Sequence, residues 1–180
     1  DQKQHLEYAR DVAERFNNRY GETFTLPEPL ILDETQTVPG TDGRKMSKSY
    51  DNIIPLFADR ATIQEAVMSI PTDSQPVEEP KAGYEQDVLY QLHTLITPAP
   101  ELERITAGYK EGGLSYKESK EVLIESIDRL FGPIRERYTE ILDDRAYLSS
   151  VLTDGANAAR ADAEEKMNDV RARVGLPGRA

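Results

Sequence analysis

The 180-residue chain has no cysteine, which excludes disulfides, thiolate metal sites and a cysteine nucleophile. It also has no apolar run long enough to cross a bilayer, and its first residues do not form a basic and then apolar leader. These absences fit a reducing compartment. They predict a cytoplasmic protein without a membrane partner.

The chain has fewer basic than acidic residues. Its 22 Lys and Arg and 33 Asp and Glu give an excess of negative charge, with a formal net charge of -11. This excess argues against a protein that binds nucleic acid over its whole surface, although it allows a local basic site. The two histidines, His5 and His93, have no companion ligands at a useful spacing, so we expect structural or surface roles for them. The sequence predicts no metal bound by protein side chains.

Apolar residues recur at helical spacing along most of the chain and predict a mainly α protein. Ser115 and Glu118 predict a capping box at the start of the longest helix, and Pro133 predicts a kink within it. Residues 22–32 contain two prolines and predict either an edge strand or an extended connector. The predicted helices cover residues 1–20, 59–70, 84–96, 100–113, about 115–141 and 155 to about 174.

One short segment concentrates the chemistry. Residues 43–49 read GRKMSKS, in which Lys45 and Lys48 are accompanied by Ser47 and Ser49 and follow a glycine-rich turn. Compact positive charges and hydroxyl donors suit a polyphosphate, because they neutralise a leaving pyrophosphate. The alternative is a solvated basic turn, but the string KMSKS arises by chance in only about one such sequence in ten thousand.

KMSKS resembles the signature loop of the class I aminoacyl-tRNA synthetases, whose lysines bind ATP phosphates during amino-acid activation. The opening DQKQHLEYARDVAERFN and the tail VLTDGANAARADAEEKMNDVRARVGL resemble segments of the bacterial tryptophanyl-tRNA synthetases, as does VPGTDGRKMSKSYDNIIPLF. The chain is therefore identified by resemblance as a member of the tryptophanyl family. A tyrosyl-type synthetase and a noncatalytic helical RNA-binding module are the alternatives.

The resemblance implies a division of the chain. Residues 1–57 would be the C-terminal remnant of a Rossmann-like α/β catalytic domain, and residues 58–180 a helical domain that recognises the tRNA anticodon. The N-terminal nucleotide-binding half of the family is absent from this sequence, so we expect a C-terminal fragment that is inactive alone.

The resemblance also implies roles for single residues. Lys45 and Lys48 would be catalytic and hold the β- and γ-phosphates of ATP, with Ser47 and Ser49 as further donors. Met46 would pack and fix the loop. The remaining site residues are Val38 for a backbone contact beside adenine, Asp1 for the ribose hydroxyls and Gln2 for the polar end of tryptophan. From the residues alone, capping of the first helix would be the preferred role for Asp1.

The implied activity is that of a tryptophan–tRNA ligase, in which tryptophan attacks the α-phosphate of ATP and is then transferred to tRNA(Trp). Magnesium would accompany ATP, and the full-length enzyme would be a homodimer. Six arginines could contact tRNA phosphates or form intrahelical salt bridges instead. They are Arg135, Arg137, Arg145, Arg160, Arg171 and Arg173.

Overall fold

The computed structural model describes residues 2–31 and 37–177 and confirms a mainly α protein. Within these ranges the β pairing is a single isolated antiparallel bridge between Pro39 and Lys45. Residues 25–31 form no strand, so the connector interpretation of this segment is correct for its described part. The helices are α1 (Lys3–Tyr20), α2 (Arg60–Met68), α3 (Val88–Ile96), α4 (Ala99–Glu111), α5 (Tyr116–Asp143) and α6 (Arg145–Arg173), with short 3-10 turns at Lys48–Tyr50 and Tyr84–Gln86.

The chain divides into two compact units. The terminal unit comprises residues 1–31 and 140–180, and the central unit comprises residues 32–139. The predicted domain boundary between residues 57 and 58 follows the family resemblance instead and stays a prediction.

In the terminal unit, α1 ends at Tyr20, as the predicted range 1–20 requires, and the following turn is fixed by Asn17. The Asn17 carboxamide accepts the N–H groups of Thr23 and Phe24 at 3.0 and 2.9 Å and donates to the Phe24 carbonyl at 2.8 Å. Lys166 on α6 donates to the Thr23 carbonyl at 2.8 Å. A side-chain amide thus supplies the hydrogen bonds that the ended helix no longer provides.

The final helix starts ten residues earlier than predicted, at Arg145 rather than Gly155. Asp144 caps it, since its carboxylate accepts the Tyr147 N–H at 2.9 Å. Apart from its chain neighbours and the nearby helix backbone, no atom of the described residues lies within 4 Å of the position that a Cβ on Gly155 would take, so packing there does not require a glycine. The prediction was wrong because it read the glycine as a boundary and missed the aspartate cap.

The longest helix follows the prediction more closely. The Ser115 hydroxyl accepts the Glu118 N–H at 3.0 Å, which confirms the serine side of the capping box. The helix is continuous from Tyr116 to Asp143, with Pro133 inside it. The predicted kink stays a prediction.

The core of the central unit forms where α2, α3 and α5 meet. Each fully buried aliphatic side chain contributes about 1.5–3 kcal/mol through removal from water. Lys120 on α5 is also buried and donates to the carbonyls of Met68 and Ile70 at 3.0 and 2.6 Å, which closes the C-terminal end of α2. The buried apolar residues are Ile54, Ile63, Val67, Ile70, Leu89, Leu92, Leu123, Ile124 and Ile127.

A polar network lies inside this core around His93, which is fully buried. Its Nδ1 lies 2.7 Å from the Thr97 hydroxyl and its Nε2 lies 3.0 Å from the Ser119 hydroxyl, which also contacts the Tyr109 hydroxyl at 2.9 Å. Burial lowers the pKa of His93 to about 4. The structural role predicted for His93 is therefore confirmed, and the imidazole is neutral at pH 7.

The buried His93 should make the protein sensitive to acid. Its pKa is about 4 when folded and near 6.5 when unfolded, so the unfolded state binds the extra proton between these values. The free energy of unfolding should fall by about 3 kcal/mol as the pH drops from 6.5 to 4. Urea unfolding at several pH values measures this fall, and His93→Gln should remove most of it. His5→Gln is the control at an exposed histidine, and an equal fall in the His93→Gln protein would contradict the prediction.

Candidate functional site

The GRKMSKS segment lies on a small hairpin of the central unit. The Met46 N–H donates to the Val38 carbonyl at 2.9 Å, and the Gly40 N–H donates to the Arg44 carbonyl at 2.7 Å. The chain reverses between them through a turn closed by the Gly43 N–H and the Gly40 carbonyl at 3.0 Å. Gly43 has φ +83°, a left-handed conformation that glycine adopts without strain. The predicted glycine turn is therefore confirmed.

Asn52 lies behind this hairpin and is 1% exposed. Its side-chain oxygen accepts the Ser47 N–H at 2.7 Å, and its side-chain nitrogen donates to the Lys45 carbonyl at 3.2 Å and to Asp42 Oδ1 at 2.6 Å. Its own carbonyl accepts the Thr41 N–H at 2.9 Å. One residue thus joins both sides of the hairpin to the chain that leaves it.

Gly40 allows this close approach. A Cβ on Gly40 would lie 2.2 Å from Asn52 Nδ2 and 2.8 Å from the Asn52 carbonyl oxygen, which no real side chain tolerates. Glycine is therefore required here for space rather than for an unusual backbone angle.

Arg44 is held at the tip of the hairpin. Its Nε donates to Asp42 Oδ2 at 2.7 Å, and its guanidinium carbon lies 4.5 Å from the centre of the Tyr50 ring. The amide of Asn52 and, after it, Arg44 lower the pKa of the Asp42 carboxyl below its usual value. Asp42 stays ionised near neutral pH and offsets the charge of Arg44.

The two predicted catalytic lysines are both exposed. Lys45 leaves the hairpin, and Lys48 begins the 3-10 turn Lys48–Tyr50. The Ser47 hydroxyl caps this turn by accepting the Ser49 N–H at 3.2 Å. The structure therefore places Lys45, Ser47, Lys48 and Ser49 in one short loop, in which Lys45, Lys48 and Ser49 are exposed and Ser47 is half-buried.

Met46 is half-buried and packs against the core of the central unit, as predicted. Together with Val38 it lines an apolar cavity of about 200 Å³ that is closed below by Ile54 and by residues of α3 and α5. The alternation of lysine and methionine thus separates the charged face of the loop from its apolar anchor.

The remaining predicted site residues, Asp1 and Gln2, do not belong to the hairpin. Gln2 is exposed, belongs to the terminal unit and caps α1 with its carbonyl, without a side-chain bond to the helix. Asp1 lies outside the described residues. Sequence reasoning missed Asn52 and Gly40, although an asparagine that opens the apolar run NIIPLF was a signal of a buried polar group.

Two further observations concern the described ranges, 2–31 and 37–177. No helix there is long and apolar enough to cross a membrane. No three His, Asp or Glu side chains are grouped so that they could hold a metal ion.

The helical fold and the KMSKS hairpin match a known class of protein. Residues 1–132 match the family model of the class I tRNA synthetases for tryptophan and tyrosine (W and Y). The match covers well over half of the chain, which therefore belongs to this family.

Individual proteins similar to this chain include tryptophan–tRNA ligases. That of Fusobacterium nucleatum is 44% identical over 179 residues, covering 99% of this chain and 54% of the relative, and that of Rhodopirellula baltica is 41% identical over 176 residues, covering 98% and 55%. The crystal structure of tryptophanyl-tRNA synthetase from Campylobacter jejuni with ADP and tryptophan superposes with a TM-score of 0.81 at 39% identity, over 97% of this chain and 55% of the other. The chain thus spans about half the length of these relatives, and the predicted family resemblance is confirmed.

The different surroundings of Gly40 and Gly155 predict that alanine at these two positions will change the free energy of unfolding in opposite directions. Gly40→Ala should lower the free energy of unfolding by about 1–3 kcal/mol, because its methyl group collides with a buried side chain. Gly155→Ala should raise it by about 0.5–1 kcal/mol, because alanine favours the helix and has open space there. Urea unfolding of both variants provides the measurement, and a Gly40→Ala protein as stable as wild type would refute the packing argument.

Proposed function

We propose that the protein to which this chain belongs is a tryptophan–tRNA ligase. It would use ATP to convert L-tryptophan to the adenylate and then transfer it to tRNA(Trp). The observation that carries the proposal is the KMSKS hairpin with two exposed lysines, in a chain similar over nearly its full length to tryptophan–tRNA ligases. The ADP and tryptophan named for the Campylobacter jejuni structure support these two substrates.

The hairpin suits the first step of this reaction. The carboxylate of tryptophan attacks the α-phosphate of ATP, and pyrophosphate leaves with additional negative charge on its oxygens. Lys45 and Lys48 hold the β- and γ-phosphates and stabilise that charge, while Ser47 and Ser49 add donors. Magnesium accompanies ATP as part of the substrate.

The other site residues have auxiliary roles in this proposal. Val38 contributes a backbone contact beside adenine, and its carbonyl is already bonded to the Met46 N–H. Asp1 accepts the ribose hydroxyls, and Gln2 contacts the polar end of tryptophan. No covalent enzyme intermediate is needed, so catalysis consists of positioning and charge stabilisation.

We further infer from the family resemblance that residues 1–57 complete the catalytic domain and that residues 58–180 recognise the anticodon. The full-length enzyme would be a cytoplasmic homodimer. Several of the six candidate arginines are already engaged within the protein, and Arg160 and Arg171 donate to Asn157 Oδ1 and Asn168 Oδ1 at 3.0 and 3.3 Å. Arg135 pairs with Asp128, and Arg173 pairs with Asp169 at 2.8 Å, which favours their structural role over tRNA contacts.

Substrate exchange tests the choice of amino acid. The full-length protein should catalyse ATP–pyrophosphate exchange that depends on tryptophan, with little exchange when tyrosine replaces it. The two amino acids are the substrates of the family to which the chain belongs, and the named relatives favour tryptophan. Exchange that depends on tyrosine alone would assign the protein to the tyrosyl type, and no exchange with either would favour a noncatalytic module.

The lysines provide a second test. Lys45→Ala and Lys48→Ala in the full-length protein should each lower kcat for exchange by about 10²–10³-fold, because each removes a donor that acts on the developing charge. The KM for tryptophan should change little. Lys110→Ala, at an exposed lysine near the end of α4, is the matched control and should keep the wild-type kcat. Unchanged exchange in both loop variants would exclude the phosphate role.

A further inference from the structure

Asn52 is the polar residue most deeply enclosed by the signature hairpin. Three hydrogen bonds of 2.6 to 3.2 Å satisfy its carboxamide, and two of them go to the backbone of Lys45 and Ser47. It has no exposed surface with which to contact a nucleotide, since only 1% of it is accessible. Asn52 can therefore influence the reaction only through the residues to which it is hydrogen-bonded.

The chemistry of the site selects asparagine. Its nitrogen faces two oxygens, the Lys45 carbonyl and the Asp42 carboxylate, while its oxygen faces the Ser47 N–H. An aspartate at this position would keep the acceptor but lose both donated bonds. It would also bring a second carboxylate to within hydrogen-bond distance of Asp42, where like charges repel.

The backbone groups that Asn52 binds determine the positions from which the side chains of Lys45 and Lys48 extend. The bond to the Lys45 carbonyl fixes the peptide that follows the first lysine, and the bond to the Ser47 N–H fixes the residue before the second. Ser47 also caps the 3-10 turn that carries Lys48. Rotating the Asn52 amide out of place would therefore release both lysines at once.

We infer that Asn52 is a positioning residue for adenylate formation, which aligns Lys45 and Lys48 on the leaving pyrophosphate without touching ATP. This inference rests on the proposed function. The role is distinct from that of Asn17, whose carboxamide makes three hydrogen bonds that all go to backbone groups and stabilise only the turn after α1.

The test uses Asn52→Asp in the full-length protein, with ATP–pyrophosphate exchange as the readout. The kcat should fall by about 100-fold, because a displacement of about 1 Å of a catalytic group has an effect of that size. The KM for tryptophan should stay within about twofold of wild type, since the hairpin does not form the tryptophan pocket in this proposal. Asn17→Ala is the matched control and should lower stability while leaving kcat unchanged.

A double-mutant comparison with Lys48→Ala distinguishes a positioning role of Asn52 from a general loss of stability. In a protein that already carries Lys48→Ala, Asn52→Asp should lower kcat by clearly less than in wild type, because part of its effect passes through that ammonium group. Equal losses in the two backgrounds would overturn the inference.

A milder variant covers the case in which Asn52→Asp does not fold. Asp42→Ala removes one exposed partner of the amide and should lower kcat by about fivefold to tenfold, equivalent to about 1–1.4 kcal/mol. A wild-type kcat in Asp42→Ala and in any folded Asn52→Asp protein would overturn the inference, as would losses that only mirror those of Asn17→Ala. If the wild-type protein itself shows no exchange, the proposed function fails and this inference falls with it.

Discussion

The buried carboxamide of Asn52 is the contact on which the geometry of the signature loop depends. A short hairpin with one isolated bridge has few backbone bonds of its own, and it is marginal without support from the rest of the fold. Asn52 supplies that support from the side facing away from solvent, and Gly40 provides the space for it. The exposed face of the loop is then left to the lysines and serines.

The loop is attached to the core as well as to Asn52. Met46 and Val38 pack against the cluster formed by α2, α3 and α5, so the hairpin has an apolar side and a charged side. The core beneath it is fixed by close packing and by the polar network around His93, in which each ring nitrogen has a partner. A buried network that is fully satisfied favours one arrangement of the helices around it.

Electrostatics explains how an acidic chain can present a basic site. Many of its arginines pair with neighbouring carboxylates, as Arg129 does with Glu101 at 2.9 Å and Arg104 with Glu118 at 2.7 Å. Pairs of this kind lie at the surface, where solvent and salt screen them, so they add little to the stability of the fold. Their main effect is to neutralise charge locally, which leaves the described part of the surface without a large region of positive charge.

Much of the helical fold could be predicted from the order of residues, because local patterns decide it. Helical spacing predicted α1, and Ser115 predicted the start of α5, since caps and periodicity act within a few residues. The start of α6 was predicted at Gly155, because glycine is typical of a helix boundary. The helix begins earlier because Asp144 caps it. The KMSKS string likewise indicated the class I synthetases, because a fixed sequence of five residues is specific enough to be recognised without the structure.

By itself, therefore, the sequence determined the helical class, the family and the residues that bear the charge. Only the tertiary structure decided how the hairpin is held, because the bonds of Asn52 to Asp42, Lys45 and Ser47 join residues five to ten positions apart with no common period. It also decided that His93 is neutral, since its pKa depends on burial by helices distant in sequence. The sequence shows which chemical groups the chain carries, whereas contacts between distant segments determine how those groups are oriented and whether they are charged.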